Sequence, residues 1–269
     1  MPSPPIISFV RSPRLRMRAS IGLWILAAGL GLASPPMRVQ ADILRIIFPD
    51  VGHGHAALLI SPSGRTVLID GGPEGAGAAV IVPLMRRIGL SRLDVMIATH
   101  YDADHIGGLD EVAAAFPPTL AYDSGDLTAP RGSRSFTDYV TAIGAVRRTL
   151  RAGDVLDLGG GARATCLVVN GDLASGGRVG IFGRSDPFDQ LDNSASIGLL
   201  IQYGDFDFFI AGDLTGGGDN TTDVESTVAQ LVGDLDIVHL RHDVSAVRRS
   251  FPSRRCAEKV REIVRLRVT

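Results

Sequence analysis

A chain of 269 residues, 45% apolar and 21% charged, is long enough for one large domain with a proper buried core and has ordinary globular composition. Its charge is uneven: residues 42–240 carry 13 basic and 26 acidic side chains, a net of −13, while residues 241–269 carry nine basic and three acidic, a net of +6. So acidic a body repels a polyanion over most of its surface, which counts against long duplex nucleic acid unless metal or local arginines intervene. Two cysteines, Cys166 and Cys256, exclude a disulfide framework, and their separation matches no zinc-ribbon spacing.

The first 20 residues hold Arg11, Arg14, Arg16 and Arg18 and no acid, and the apolar run Ile21–Ala33 (IGLWILAAGLGLA) follows. That run is shorter than the ~18–20 residues a membrane span needs. With Val39-Gln40-Ala41 as a small-residue cleavage site, residues 1–41 read as an export leader. The expectation is a periplasmic or extracellular protein with no stable membrane partner once the leader is removed; an uncleaved anchor is the alternative.

Leu44–Phe48 (LRIIF) reads as a first strand. Ala57–Ile60 and Thr66–Ile69, flanking Ser-Pro-Ser-Gly, predict a β-hairpin that runs into Asp70-Gly71-Gly72. Helical spacing over 76–88 ends at Gly89. The short apolar strand Leu93–Ala98 follows, then a helix over Leu109–Ala115 stopped by Pro117-Pro118. Residues 123–135 read as loop and 136–151 as helix. Ala162–Val169 alternates as a strand, and 170–194 is a long Gly-, Asp- and Ser-rich loop. Strands over Ser196–Tyr203 and Phe206–Ile210 are joined by Gly204-Asp205; a helix over 222–232 and a strand over Ile237–Leu240 complete the body. Helices interleaved with strands and hairpins suggest an α/β fold in which helices cover a packed pair of sheets.

The stretch ATHYDADHIGG places His100, Asp102, Asp104 and His105 just after the Leu93–Ala98 strand. Alternate residues of an extended segment share a side, so His100 and Asp102 can face one point, while the adjacent Asp104 and His105 diverge toward a second. Imidazole and carboxylate suit zinc, manganese and iron, and two-metal sites ~3.5–4 Å apart are a recurring hydrolytic device. The competing reading is a solvated loop with capping aspartates.

These residues resemble the metallo-β-lactamase superfamily, whose usual signature is His-x-His-x-Asp-His. The variant with Asp at the third position is similar to the branch containing the hydrolase domain of ComEC-type DNA-uptake proteins. The same branch has Asp-Val-Gly-x-Gly, here Asp50–Gly54, and Leu-Ile-Asp-Gly-Gly, here Leu68–Gly72. It continues with Asn-x-x-Ser, here Asn193–Ser196, and a strand-end Gly-Asp, here Gly212-Asp213. The resemblance covers about residues 42–242 and implies an αββα sandwich over 42–245 that binds two divalent metal ions, zinc first and manganese second. It implies that His100 and Asp102 bind one ion, Asp104 and His105 the other, and that Asp213 bridges them, with Asp104 and Asp213 as catalytic carboxylates. Asp70 becomes a carboxylate behind the ligands that orients the loop. His53 and His55 stand where the branch has Gln and Asp; they read as surface histidines at the cleft rim, with substrate or metal contact as the alternative. Asn193 either binds substrate or holds its own strand.

After the last strand the branch has His-His-Gly-Ser, one histidine of which completes the site. This chain has Leu240-Arg-His242-Asp-Val-Ser245, so His242 is the expected last ligand. The basic segment 246–269 reads either as a C-terminal helix or as the mark of an altered gene end that leaves the sandwich incomplete. The resemblance implies a dinuclear hydrolase in which the metals activate a bridging water, acting on a small-molecule or nucleic-acid phosphodiester, and the leader makes it an exported one. The alternatives are an ester or lactone hydrolase of the same fold, and a metal-binding protein without turnover.

Overall fold

The computed structural model describes residues 6–10, 43–181, 191–218 and 220–239. Ile21–Ala33, His242 and the basic tail lie outside the described residues.

Two sheets face each other. The first holds, in spatial order, β1 (Ile6–Val10), β2 (Ile43–Ile47), β3 (Ala57–Ile60), β4 (Thr66–Ile69), β5 (Leu93–Ile97), β6 (Pro118–Asp123) and β7 (Arg147–Thr149). The pairs from β1 to β4 are antiparallel, and those from β4 to β7 are parallel. The second sheet contains β8 (Val155–Gly159), β9 (Ala162–Val169), β10 (Asp172–Leu173), β11 (Gly198–Tyr203), β12 (Phe206–Ile210) and β13 (Ile237–His239). Its order is β10-β9-β11-β12-β13, with β8 paired to β9. All its pairs are antiparallel except β12–β13.

Side-chain alternation along the strands produces the layers. Leu44, Ile46, Leu59, Val67, Ile69, Val95 and Ile97 of the first sheet meet Ala164, Cys166, Leu199, Ile201, Phe208 and Ile210 of the second in one buried core. On the outer face of the first sheet, Ile47, Leu58, Leu68 and Met96 pack against helices α1 (Val82–Arg87), α3 (Leu109–Ala115) and α4 (Arg134–Ile143). Val168, Phe209 and Ala211 form the outer face of the second sheet, covered by Val224 and Val228 at the helix Glu225–Ala229. Among the described residues this is the expected sandwich of helix, sheet, sheet and helix.

Three local expectations are corrected. Residues 136–151 are not one helix: α4 ends at Ile143, Gly144 takes a φ of +44°, and Arg147–Thr149 pairs in parallel with β6. Pro118, expected only as a stop, opens β6, where a missing N–H is tolerated at a strand's first residue. The helix expected over 76–88 begins as a π-helical stretch, Gly77–Ile81, in which the Val82 N–H reaches the Gly77 carbonyl ahead of Pro83. No helix among the described residues is long and apolar enough to cross a membrane.

β4 and β5 end together on one edge of the sandwich, and β12 and β13 end on the facing edge. The inter-sheet core therefore sets how far apart these four ends stand. Leu199, fully buried opposite Ile210, is central to that core. Leu199→Ala is expected to lower unfolding free energy by about 2–5 kcal/mol in urea denaturation. A loss below about 1 kcal/mol, in the range of surface substitutions, would mean the sheets do not pack through this residue.

Candidate metal centre

The β5 strand runs out at Ile97, the backbone bends at Thr99 and His100, and Asp102 (φ −62°, ψ 142°) is the N-cap residue of the short helix α2, Ala103–Ile106. His100 and His105 are both fully buried, their ring centroids 4.1 Å apart. From the other sheet, Asp213 follows β12 by three residues and is buried to 8% exposure. One ligand atom from each of His100, His105 and Asp213 lies within 4.8 Å of the others, and His105 Nε2 is 3.3 Å from Asp213 Oδ1.

Behind this cluster sits Asp70, fully buried at the end of β4. Its Oδ1 accepts the Thr99 N–H at 2.8 Å and its Oδ2 the Thr99 hydroxyl at 2.7 Å. The same Oδ2 lies 2.9 Å from His105 Nδ1 and 3.0 Å from His55 Nδ1. Burial works to raise the Asp70 pKa, but the hydrogen bonds from His105 and His55 outweigh it and hold the carboxyl far below the ordinary range. For His105, burial opposes the charged form, but Asp213 and Asp70 overcome it and push the imidazole up to about 10. His105 is therefore turned with Nδ1 on Asp70 and Nε2 toward Asp213, as an orienting carboxylate requires.

The other expected ligands stand at the margin. Asp102 is 45% exposed, its Oδ2 3.6 Å from His100 Nε2. The side chain of Asp104 points to solvent-facing His53, 3.2 Å away, and it joins no three-residue cluster among the described residues. The expected division into His100 with Asp102 and His105 with Asp104 is thus not how the side chains group; both imidazoles approach Asp213. His242 lies outside the described residues.

The sequence reading left out His239 and Asp192 and set His55 at the cleft rim, and the structure brings all three to the site. His55, expected at the surface, is 6% exposed, with Nε2 at 2.8 Å from His239 Nδ1 at the end of β13. Burial, partly offset by Asp70, lowers its pKa and keeps it neutral. Gly54 makes this burial possible: at φ +89°, a Cβ there would overlap the Asp104 carbonyl oxygen. The Gly-x-Gly frame around His53 was the available signal. Asp192 is the third, accepting the Tyr101 N–H at 2.5 Å and the Thr128 hydroxyl at 2.6 Å, which braces the ligand loop. Burial raises its pKa, against opposition from His100. Asn193, the next residue in the chain, is buried as well.

Known proteins resemble this chain in sequence and in fold. The metallo-beta-lactamase superfamily profile matches residues 50–267, most of the chain. The chain belongs to this superfamily. A metallo-beta-lactamase of Cronobacter sakazakii (Enterobacter sakazakii) with a mutated HARLDQ motif shares the fold at a TM-score of 0.51 and 15% identity, covering 83% of this chain and 96% of that one. A hydroxyacylglutathione hydrolase of Xanthomonas campestris pv. campestris (strain B100) is 34% identical over 88 residues, 32% of each chain. Competence protein ComA of Neisseria gonorrhoeae is 36% identical over 77 residues, 29% of this chain and 11% of that one. The chain thus spans about a third or less of the length of these curated relatives.

Superfamily members are metal-dependent hydrolases that bind divalent ions, typically zinc. The residues present fit such an ion. Nε2 of His100 is buried with no hydrogen-bond partner among the described residues, a costly state for a polar atom. It shares its space with a second imidazole nitrogen and a carboxylate oxygen, the donor set zinc and manganese take.

The charge states carry a testable consequence in metal-free protein. His105's folded pKa, about 10, lies above its unfolded value of about 6.5. Its contribution to stability is therefore full below about pH 6.5 and lost as pH rises through about 10. Chelator-treated protein is expected to lose unfolding free energy between pH 6.5 and pH 10 in urea titrations, and His105→Asn to lose less over the same interval. Equal slopes for the two proteins would show that the Asp70–His105–Asp213 contacts do not form.

Proposed function

We propose that this protein is an exported dinuclear metal-dependent hydrolase, related to the ComEC-type branch, that cleaves phosphodiesters. The observation that carries the metal-dependent part is the convergence of His100, His105 and Asp213, with the His100 Nε2 atom buried and without a hydrogen bond among the described residues. The local match to competence protein ComA and the His-x-Asp-x-Asp-His spacing support the branch. The arginines followed by the apolar run Ile21–Ala33 support export.

When bound, divalent ions supply Lewis acidity and make water a competent nucleophile near neutral pH. The rest is work for the side chains. His100, His105 and Asp213 would hold one ion, two of them supplied by the loop after β5 and one by the loop after β12. Asp102 and Asp104, more exposed than the cluster, would supply carboxylates to a second ion and could accept a proton from water. Asp70 keeps His105 Nδ1 engaged, so that only Nε2 faces the cleft. The inter-sheet core closes the far side to solvent. No Ser or Cys nucleophile is required; Cys166 is buried in that core, with its thiol pKa pushed up to about 12 chiefly by burial.

Hydrolysis of an ester, thioester or lactone is the second reading, favoured by the hydroxyacylglutathione hydrolase match. The two readings separate on a panel of bis-p-nitrophenyl phosphate, hydroxyacylglutathione and simple lactones, run beside elemental analysis. About two equivalents of metal, with turnover of the phosphodiester abolished by chelator and by Asp213→Asn, is the expected result. Preference for the acyl substrates would replace the phosphodiester assignment. Metal bound without turnover of any substrate would leave a metal-binding protein.

A further inference from the structure

His55 and His239 come from opposite sheets and meet behind the cluster. His55 Nε2 faces His239 Nδ1 at 2.8 Å, while His55 Nδ1 faces Asp70 Oδ2 at 3.0 Å. We propose that His239 and His55 are positioning residues for His105: the His239 Nδ1–H donates to His55 Nε2, the His55 Nδ1–H donates to Asp70, and Asp70 is thereby held on His105. Its use for metal rests on the metal-dependent reading above.

The proton count follows from the partners. An ionised carboxylate only accepts, so each nitrogen facing Asp70 carries hydrogen. A neutral imidazole has one N–H, so His55 with its proton on Nδ1 has an acceptor at Nε2. His239 must then donate from Nδ1. Ring contacts fix the planes of both imidazoles, and the polar contacts fix which edge faces which partner. His55 lies edge-on to His239, centroids 4.3 Å apart, and is stacked on His105 at 5.7 Å. His239 is stacked on Phe48 at 4.7 Å with the planes 12° apart. Flipping His55 would place carbon against Asp70 and leave a buried carboxylate short of a donor, a loss of the kind buried polar groups tolerate least. His53, two residues earlier, has a 79% exposed side chain and takes no part.

The pattern is readable on the metal-free full chain carrying 15N-labelled histidine, from long-range proton–nitrogen correlations assigned with single-histidine substitutions. Neutral Nδ1–H forms are expected for both His55 and His239. A proton on Nε2 of His55 would overturn the proposal in the wild-type protein, whatever any variant does. Zn2+ affinity by chelator competition supplies the second readout. His239→Ala is expected to weaken binding about tenfold or more, while His239→Asn, whose amide nitrogen takes the place of Nδ1, stays within about threefold of wild type. Equal losses in both variants would make His239 something other than a positioning residue, such as a direct ligand. Failure of the wild type to take up Zn2+ would sink the metal reading alone, because the tautomers are read without metal.

Discussion

A carboxylate held away from water is the constraint around which this edge of the sandwich is organised. Burying Asp70 in ionised form is tolerable only with its lone pairs filled, because desolvation of a bare charge costs several kcal/mol even after relaxation. Four donors meet it: the amide and hydroxyl of Thr99, and one nitrogen each of His105 and His55. They come from two different loops, so the carboxylate joins the 50s loop to the ligand loop. Its own backbone contributes, since Asp70 sits at φ +57°, a conformation Asp tolerates better than most residues, with its N–H on the Ile97 carbonyl.

The sheets supply the rest of the geometry. Strand ends of β4 and β5 present Asp70 and the His100–His105 loop, and those of β12 and β13 present Asp213 and His239. Gly212, at φ +51°, lies so close to Thr99 and His100 that any side chain there would drive the two sheets apart. The Ile197 N–H donates to the Thr99 carbonyl at 2.9 Å, a direct stitch between the ligand loop and the second sheet. Cleft width therefore depends on apolar packing many residues away, in the core that Leu199, Ile201 and Phe208 fill.

Much of the architecture is visible in local pattern. The hairpin of β3 and β4, the alternating β9 and the β11–β12 pair around Gly204 carry their period and their turn residues together. The strands that escaped are those with the least local signal. β7 is three residues, Arg147-Arg148-Thr149, made a strand by the edge of β6 and by Arg147 clamped on Asp123 at 2.6 Å. β6 opens on a proline, and β8 ends in glycine and, among the described residues, pairs only with β9. Pairing with a distant strand, which no window of sequence contains, decides such segments.

The sequence by itself determined the short-range chemistry: His100 through His105 on a strand-to-helix turn, Asp70 after a hairpin, Asp213 after a strand. Spacing within six residues limits how far apart these side chains can stand, and the bend at Thr99 and His100 followed by the short helix sets their directions. Only the tertiary structure decided which nitrogens share a carboxylate. His55 and His239 are 184 residues apart; Gly54 hints at the burial of the first, and no neighbour marks the second. Their roles come from the two sheets closing on a core that shuts out water, leaving each buried nitrogen to find its partner across the gap or go without one.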